Sequence, residues 1–159
     1  AIVASSISHG HTLSLAPSSD RTRLAAAIDG SFEIGKSRFF VGVLLNYVSD
    51  EALTAYSSQD YGLYSQYYFD KKRIFSLGIG YMLYANGLYS ETATESTWTG
   101  TSLLVRFTIN LRVHKKFSLG PSLNYYSASY DTETQGATQH NISYQKTYIY
   151  PSLALSYNF

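Results

Sequence analysis

The chain has 159 residues, of which 45% are hydrophobic, 16% aromatic and only 14% charged. These proportions suit one domain and exclude a long disordered protein. Twelve Lys and Arg residues against eleven Asp and Glu give a formal net charge of +1, so no global field attracts nucleic acid. There is no cysteine, which excludes a disulfide scaffold, a thiol nucleophile and a cysteine-ligated metal site.

No segment is apolar for long enough to form a membrane-spanning helix. The longest apolar run, residues 39–45, has about seven residues and is interrupted by Gly42, whereas a spanning helix needs about 20. The sequence does not open on a basic and apolar leader. We therefore expect Ala1 to be a processing boundary if the protein is exported.

Period-two alternation of apolar and polar residues predicts β-strands, because successive side chains of a strand point to opposite faces. A weak first strand is predicted over residues 2–15. In residues 24–34 the even positions are mostly apolar, and in residues 39–47 the odd positions carry the apolar set. The pattern recurs in residues 61–69, 75–83, 101–111, 117–125 and 149–159.

The predicted connections alternate in length. They are short at residues 35–37, 70–73 and 113–116, and longer and polar at residues 16–21, 49–60, 86–97 and 130–141. No helical period appears, so the strands form an antiparallel meander, and unequal connections at the two rims are typical of outer-membrane barrels. We predict a single all-β domain over residues 1–159, an eight-stranded antiparallel up-and-down transmembrane β-barrel with short periplasmic turns and longer extracellular loops.

Eight strands also fit a soluble, lipocalin-like barrel with an apolar interior, because alternation does not tell which face is inside. Two features favour the membrane barrel. The strands run to about ten residues, the length that a tilted strand needs to cross a bilayer, and aromatic residues collect at the strand ends as in interfacial girdles. Those toward the short turns are Phe32, Phe39, Phe69, Phe75, Phe117 and Phe159, and those toward the long loops are Tyr47, Tyr61 and Tyr125.

The chain ends on an alternating apolar segment that contains Leu153, Leu155, Tyr157 and the terminal Phe159. This ending resembles the C-terminal signal by which the assembly machinery recognises bacterial outer-membrane barrels. Over its whole length the chain resembles the small eight-stranded class that includes the transmembrane domain of OmpA.

The resemblance implies a monomer in the outer membrane of a Gram-negative bacterium, with extracellular loops and periplasmic termini. Its implied partners are the barrel assembly machinery, which would read Tyr157 and Phe159, and outer-membrane lipids including lipopolysaccharide. It implies no cofactor.

The charges divide between the two predicted rims. The short turns carry Lys36, Arg38, Lys71, Lys72, Arg73, Arg112, Lys115 and Lys116 with Asp70, and the long connections carry Asp20, Asp50, Glu51, Asp60, Glu91, Glu95, Asp131 and Glu133 with Arg21. A basic periplasmic rim would lie against anionic phospholipid headgroups, where each Lys or Arg contributes about 1 kcal/mol.

The interior of an eight-stranded barrel is only wide enough for side chains to fill it. Asp29 lies about six residues before Gly35, and Arg106 about six before Arg112, so both fall near mid-height. An unpaired charge there would cost several kcal/mol. We therefore predict a lumen polar network of Asp29 and Arg106, joined by Asn46, Gln66 and Asn124, that plugs the barrel.

Candidate catalytic residues are sparse. Serine hydrolysis needs a Ser hydroxyl within reach of a His that a carboxylate orients, and the nearest candidates are His140 and Ser143 with Glu133. They lack the His-x-Ser spacing of the lipid A deacylase barrels, so we predict no catalytic residues. His9 and His11 with Asp20 would supply too few ligands for a metal site, and none is predicted.

Three functions remain, and nucleic-acid binding is excluded because the basic residues are separated from the aromatic ones. The leading hypothesis is a non-enzymatic outer-membrane barrel that stabilises the membrane or presents surface loops to partners. The alternative is an enzyme that modifies lipid A or phospholipid at the loop rim. A weaker alternative is a narrow pore for small or apolar solutes.

Overall fold

The fold is that of a computed structural model, which describes residues 3–13, 22–35, 37–51, 55–91 and 94–158, with side chains from residue 25 to 156 apart from short gaps. The strands in these ranges are β1 (Val3–Leu13), β2 (Thr22–Glu33), β3 (Phe39–Glu51), β4 (Ala55–Tyr68), β5 (Phe75–Glu91), β6 (Thr94–Ile109), β7 (Leu111–Arg112), β8 (Phe117–Gln135) and β9 (Thr138–Asn158). None of the described residues forms a helix with the length and hydropathy to cross a membrane.

The strands close into an eight-stranded antiparallel barrel. Consecutive strands pair up to β6, β8 pairs with both β6 and β9, and β9 pairs with β1. The short β7 continues β6 in the same register, since Thr108 lies opposite Ser122 and Leu111 lies opposite Leu119. β6 and β7 thus occupy one position in the barrel, which confirms the predicted all-β, up-and-down topology.

The apolar face of the strands points outward. Val43, Leu63, Leu83 and Ile149 are 61–65% exposed, whereas the alternate positions face the lumen and are buried. A soluble lipocalin-like barrel would bury those apolar side chains, so the arrangement contradicts that alternative. The outward apolar surface is the one that a lipid bilayer covers.

The strands extend further than the apolar pattern predicts. β3 continues to Glu51 and β4 begins at Ala55, inside the predicted connection 49–60. β5, β6, β8 and β9 likewise run into the predicted connections 86–97 and 130–141. The prediction that these three connections are long is therefore wrong, because three residues separate β3 from β4, two separate β5 from β6, and two separate β8 from β9. Apolar alternation marks only the part of a strand that faces lipid, and the backbone ladder continues beyond it through segments rich in Thr and Tyr, which favour strands.

Inward glycines make room for large side chains in the lumen. A Cβ at Gly78 would overlap the Tyr64 hydroxyl, and one at Gly80 would overlap the Leu44 side chain. A Cβ at Gly87 would lie 3.0 Å from Tyr130 Cζ. The interior is therefore filled by rings and branched chains that lie over glycines of β5.

Candidate functional site

Asp29 and Arg106 form an ion pair in the middle of the lumen. Both side chains are 1% exposed, and Arg106 Nη1 donates to Asp29 Oδ1 at 3.1 Å. Arg106 Nε donates to Asn124 Oδ1 at 3.2 Å, and Asn124 Nδ2 donates to Ser152 Oγ at 2.7 Å. The structure thus brings together three of the five predicted lumen residues, carried by β2, β6 and β8.

Gln66 belongs to a group nearer the short-turn rim, the barrel end formed by residues 35–37, 70–73 and 113–116. Its Nε2 donates to Ser76 Oγ at 2.9 Å, and Asn110 Nδ2 donates to the same oxygen at 3.1 Å. Ser156 Oγ donates to Asn110 Oδ1 at 3.4 Å. Asn110 lies between β6 and β7, where the strand is interrupted, and its side chain makes these hydrogen bonds in the lumen.

Asn46 contacts a second buried acid, Asp60. Asp29, Arg106 and Asn124 form what we call the Arg106 layer, and Asp60 lies on the side of this layer opposite to Gln66. Asn46 Nδ2 donates to Asp60 Oδ2 at 3.5 Å, and the hydroxyls of Ser102 and Tyr126 donate to it at 2.7 and 2.5 Å. Ser58 donates to the other carboxylate oxygen. The Asp60 side chain is 2% exposed. Four hydrogen-bond donors thus surround a carboxylate that is buried away from water.

The placement of Asp60 corrects the sequence analysis, which assigned it to an acidic loop. Because β4 begins at Ala55, the even positions that face the lumen at Tyr64 and Gln66 continue back to Asp60. Asp50, assigned to the same loop, is also buried, with 7% exposure. The alternation along β4 puts Asp60 on the lumen face, but the predicted strand began at residue 61, so Asp60 was assigned to the connection.

Aromatic side chains lie in the lumen toward the long-loop rim, the barrel end at which β3 connects to β4, β5 to β6 and β8 to β9. The Tyr56 and Tyr130 hydroxyls are 2.5 Å apart, and the Trp98 ring lies 5.7 Å from that of Tyr130. The Tyr148 ring lies 6.4 Å from the Tyr56 ring, and Lys146 Nζ lies 4.1 Å above the latter. This layer was not predicted, because Tyr56 and Tyr130 fall in predicted connections and the other three residues lie just before the predicted strands 101–111 and 149–159.

Arg73 covers the lumen at the short-turn rim. Its guanidinium lies 5.1 Å from the centre of the Phe40 ring and 5.9 Å from that of Tyr68. Its Nη2 also donates to Glu33 at 2.8 Å. Phe40 and Tyr68 meet edge to face at 5.4 Å. A cation and two rings therefore form the last layer at this end.

Comparison with known proteins supports the architecture. No family model and no curated protein matches the sequence. The crystal structure of Neisserial surface protein A (NspA) matches with a TM-score of 0.62 and 15% identity, covering 99% of this chain and 96% of that chain. The solid-state NMR structure of outer membrane protein AlkL in DMPC bilayers matches with a TM-score of 0.51 and 13% identity, covering 99% and 89%. The chain has the fold of the small outer-membrane β-barrels.

On this barrel the candidate hydrolase residues do not form a relay. Glu133 and His140 are directly opposite in the β8–β9 ladder, whereas Ser143 lies in the register irregularity between the pairs Thr132–Asn141 and Tyr130–Tyr144, and no hydrogen bond joins it to His140 among the described side chains. Glu133 Oε1 accepts a hydrogen bond from Trp98 Nε1 at 3.1 Å, and this bond lowers the pKa of the carboxyl group. Glu133 therefore contacts the aromatic layer through its hydrogen bond from Trp98.

Two groups of predicted residues lie outside the described side chains. They are His9 and His11, with Asp20, and the assembly-signal residues Tyr157 and Phe159. The backbone places Tyr157 in β9, opposite Phe117 and Ser5. Among the side chains that the structure describes, no group of three or more His, Asp or Glu residues could hold a metal ion.

Proposed function

We propose that the chain is a non-enzymatic integral outer-membrane barrel with a plugged lumen, which stabilises the membrane or presents its long-loop rim to surface partners. The outward apolar face and the fold shared with Neisserial surface protein A and the outer membrane protein AlkL support this role. In this proposal the long-loop rim is extracellular, and the short turns and both termini are periplasmic. Val3 lies opposite Phe32 and Ala4 opposite Asn158, at the short-turn rim.

The observation that carries the proposal is the series of side-chain layers across the lumen. From the short-turn rim these are the Arg73 layer, the Arg106 layer, the Asp60 layer and the aromatic layer around Tyr56. Arg106, Tyr56, Tyr126, Tyr130 and Asp60 are among the largest fully buried side chains. An eight-stranded barrel encloses a width that side chains are able to fill, so these layers support the proposal of a plugged lumen.

The proposed partners follow from the same surface. Outer-membrane lipids, including lipopolysaccharide, would contact the apolar face and its girdles, and the barrel assembly machinery would read Tyr157 and Phe159. We propose a monomer that uses no cofactor and binds no nucleic acid. Exposed aromatic pairs such as Tyr61 and Tyr84, whose rings stack at 5.0 Å, lie on the outer surface as an interfacial girdle requires.

The experiment that tests this function compares cells with and without the protein in the outer membrane. We expect identical mass spectra of lipid A and phospholipids, because the described side chains of Glu133, His140 and Ser143 form no hydrogen-bonded relay. In parallel, the purified barrel in a planar bilayer should show no conductance. A changed acyl pattern would establish the lipid-modifying alternative, and steady conductance would establish the pore.

A further inference from the structure

A basic cavity of about 920 Å³ opens at the short-turn rim. Its walls come from the turn between β4 and β5 and from the segment around β7. They carry half of the chain's twelve Lys and Arg residues: Lys71, Lys72, Arg73, Arg112, Lys115 and Lys116. In a chain of net charge +1, this concentration produces a strong local positive field.

Two carboxylates at the short-turn rim are engaged, Asp70 by backbone amides and Glu33 by one of the cavity's own cations, Arg73. Asp70 Oδ1 accepts hydrogen bonds from the backbone amides of Ile74 at 2.8 Å and Phe75 at 2.9 Å. These bonds, that of Phe75 first, lower the pKa of Asp70 and keep it in its role in the turn. Glu33 accepts a hydrogen bond from Arg73. None of the described residues that line the cavity is acidic.

The floor of the cavity is built from ordered contacts. Tyr68 packs edge to face on Phe40, beneath the Arg73 guanidinium. Asn110 donates to the Ile74 carbonyl at 3.5 Å and to Ser76 at 3.1 Å, so it joins the two walls of the cavity. The cations therefore surround a concave site with a fixed base.

We propose that this cavity binds a multivalent phosphate anion. Phosphate oxygens accept several charge-assisted hydrogen bonds, lysine supplies compact point charges and arginine a planar fork for the same oxygens. A volume of about 920 Å³ is in the range of small-molecule sites, and the five cations besides Arg73, which pairs with Glu33, exceed the needs of a monovalent anion. The ligand is a soluble polyphosphate or a lipid headgroup with two phosphates.

The test uses the full chain, refolded in zwitterionic detergent, in two arms. One arm titrates tripolyphosphate calorimetrically, and the other follows diphosphatidylglycerol binding by native mass spectrometry. We expect binding that weakens as ionic strength rises. Lys71→Gln with Lys115→Gln should weaken it by about tenfold, because two charge contacts are lost.

The matched control removes two cations that do not line the cavity, Arg38→Gln with Lys146→Gln. It has the same net charge and should keep the affinity of the unaltered protein. Circular dichroism and the heat-dependent gel shift report whether each variant is folded. Binding in either arm that only the cavity variant loses supports the site and identifies the source of the phosphate. Equal weakening in both variants, or no binding in both arms, overturns the proposal.

Discussion

Among the residue pairs described, the ion pair between Asp29 and Arg106 is the one whose substitution should lower the free energy of unfolding most. Both side chains are 1% exposed, so removing either partner leaves the other charge buried. We expect Asp29→Ala or Arg106→Ala alone to lower the free energy of unfolding by about 3–5 kcal/mol. The double variant should lose less than the sum, because no unpaired charge remains. Urea unfolding of the refolded barrel in lipid vesicles measures all three.

Glu33 and Arg73 provide a control pair within the same chain. Their nitrogen–oxygen distance is 2.8 Å, but Arg73 is 28% exposed. Water screens such a pair, so Glu33→Gln should cost only about 0.2–1 kcal/mol. Additive losses at Asp29 and Arg106, or a loss at Glu33 as large as theirs, would contradict a special role for the buried pair.

At the scale of the strand, glycines of β5 determine which side chains the lumen holds. Gly80→Ala should lower the free energy of unfolding by about 1–3 kcal/mol, because its methyl group would overlap Leu44. Adding Leu44→Val should restore part of that loss. Gly30→Ala in β2 is the matched control, since no atom lies within 4 Å of the added methyl group. An equal loss at Gly30 would attribute the effect to the strand backbone, and denaturant unfolding distinguishes the two.

The strand pattern also explains what the sequence could and could not predict. Residues 24–34 alternate cleanly because one face meets lipid and the other meets the lumen, so the fold and the lumen position of Asp29 follow from parity. Asp60 lies in a segment where the apolar signal has ended but the ladder continues to Ala55. The aromatic layer around Trp98 was missed for the same reason, since β6 begins at Thr94. Height above the short turns put Asp29 and Arg106 in one network, but Asn46 and Gln66 join other groups, because the closure of the sheet decides those contacts and local periodicity does not encode it.

At the scale of the whole molecule, the outward face and the lumen have separate tasks. The exposed apolar side chains replace the solvent contacts of a soluble protein with lipid contacts, whereas many polar groups of the lumen are hydrogen-bonded to one another. A polar group without a hydrogen-bond partner in such an interior costs free energy. The hydrogen-bond network therefore requires a narrow lumen, across which the side chains reach one another. The layers also lie in series along the barrel axis, and in the proposed function each of them blocks passage.

Closure in series predicts how conductance responds to substitution. Truncating only the Arg106 layer, with Asp29→Ala and Arg106→Ala, should give no current across a planar bilayer, because the layers above and below it remain filled. Opening the Asp60 layer alone, with Asp60→Ala and Tyr126→Ala, should also leave it silent. Truncating both of these layers together with Tyr56 and Arg73 should produce steady current in the variants that refold, as judged by the heat-dependent gel shift. Current through a single-layer variant would show that the other layers do not close the lumen.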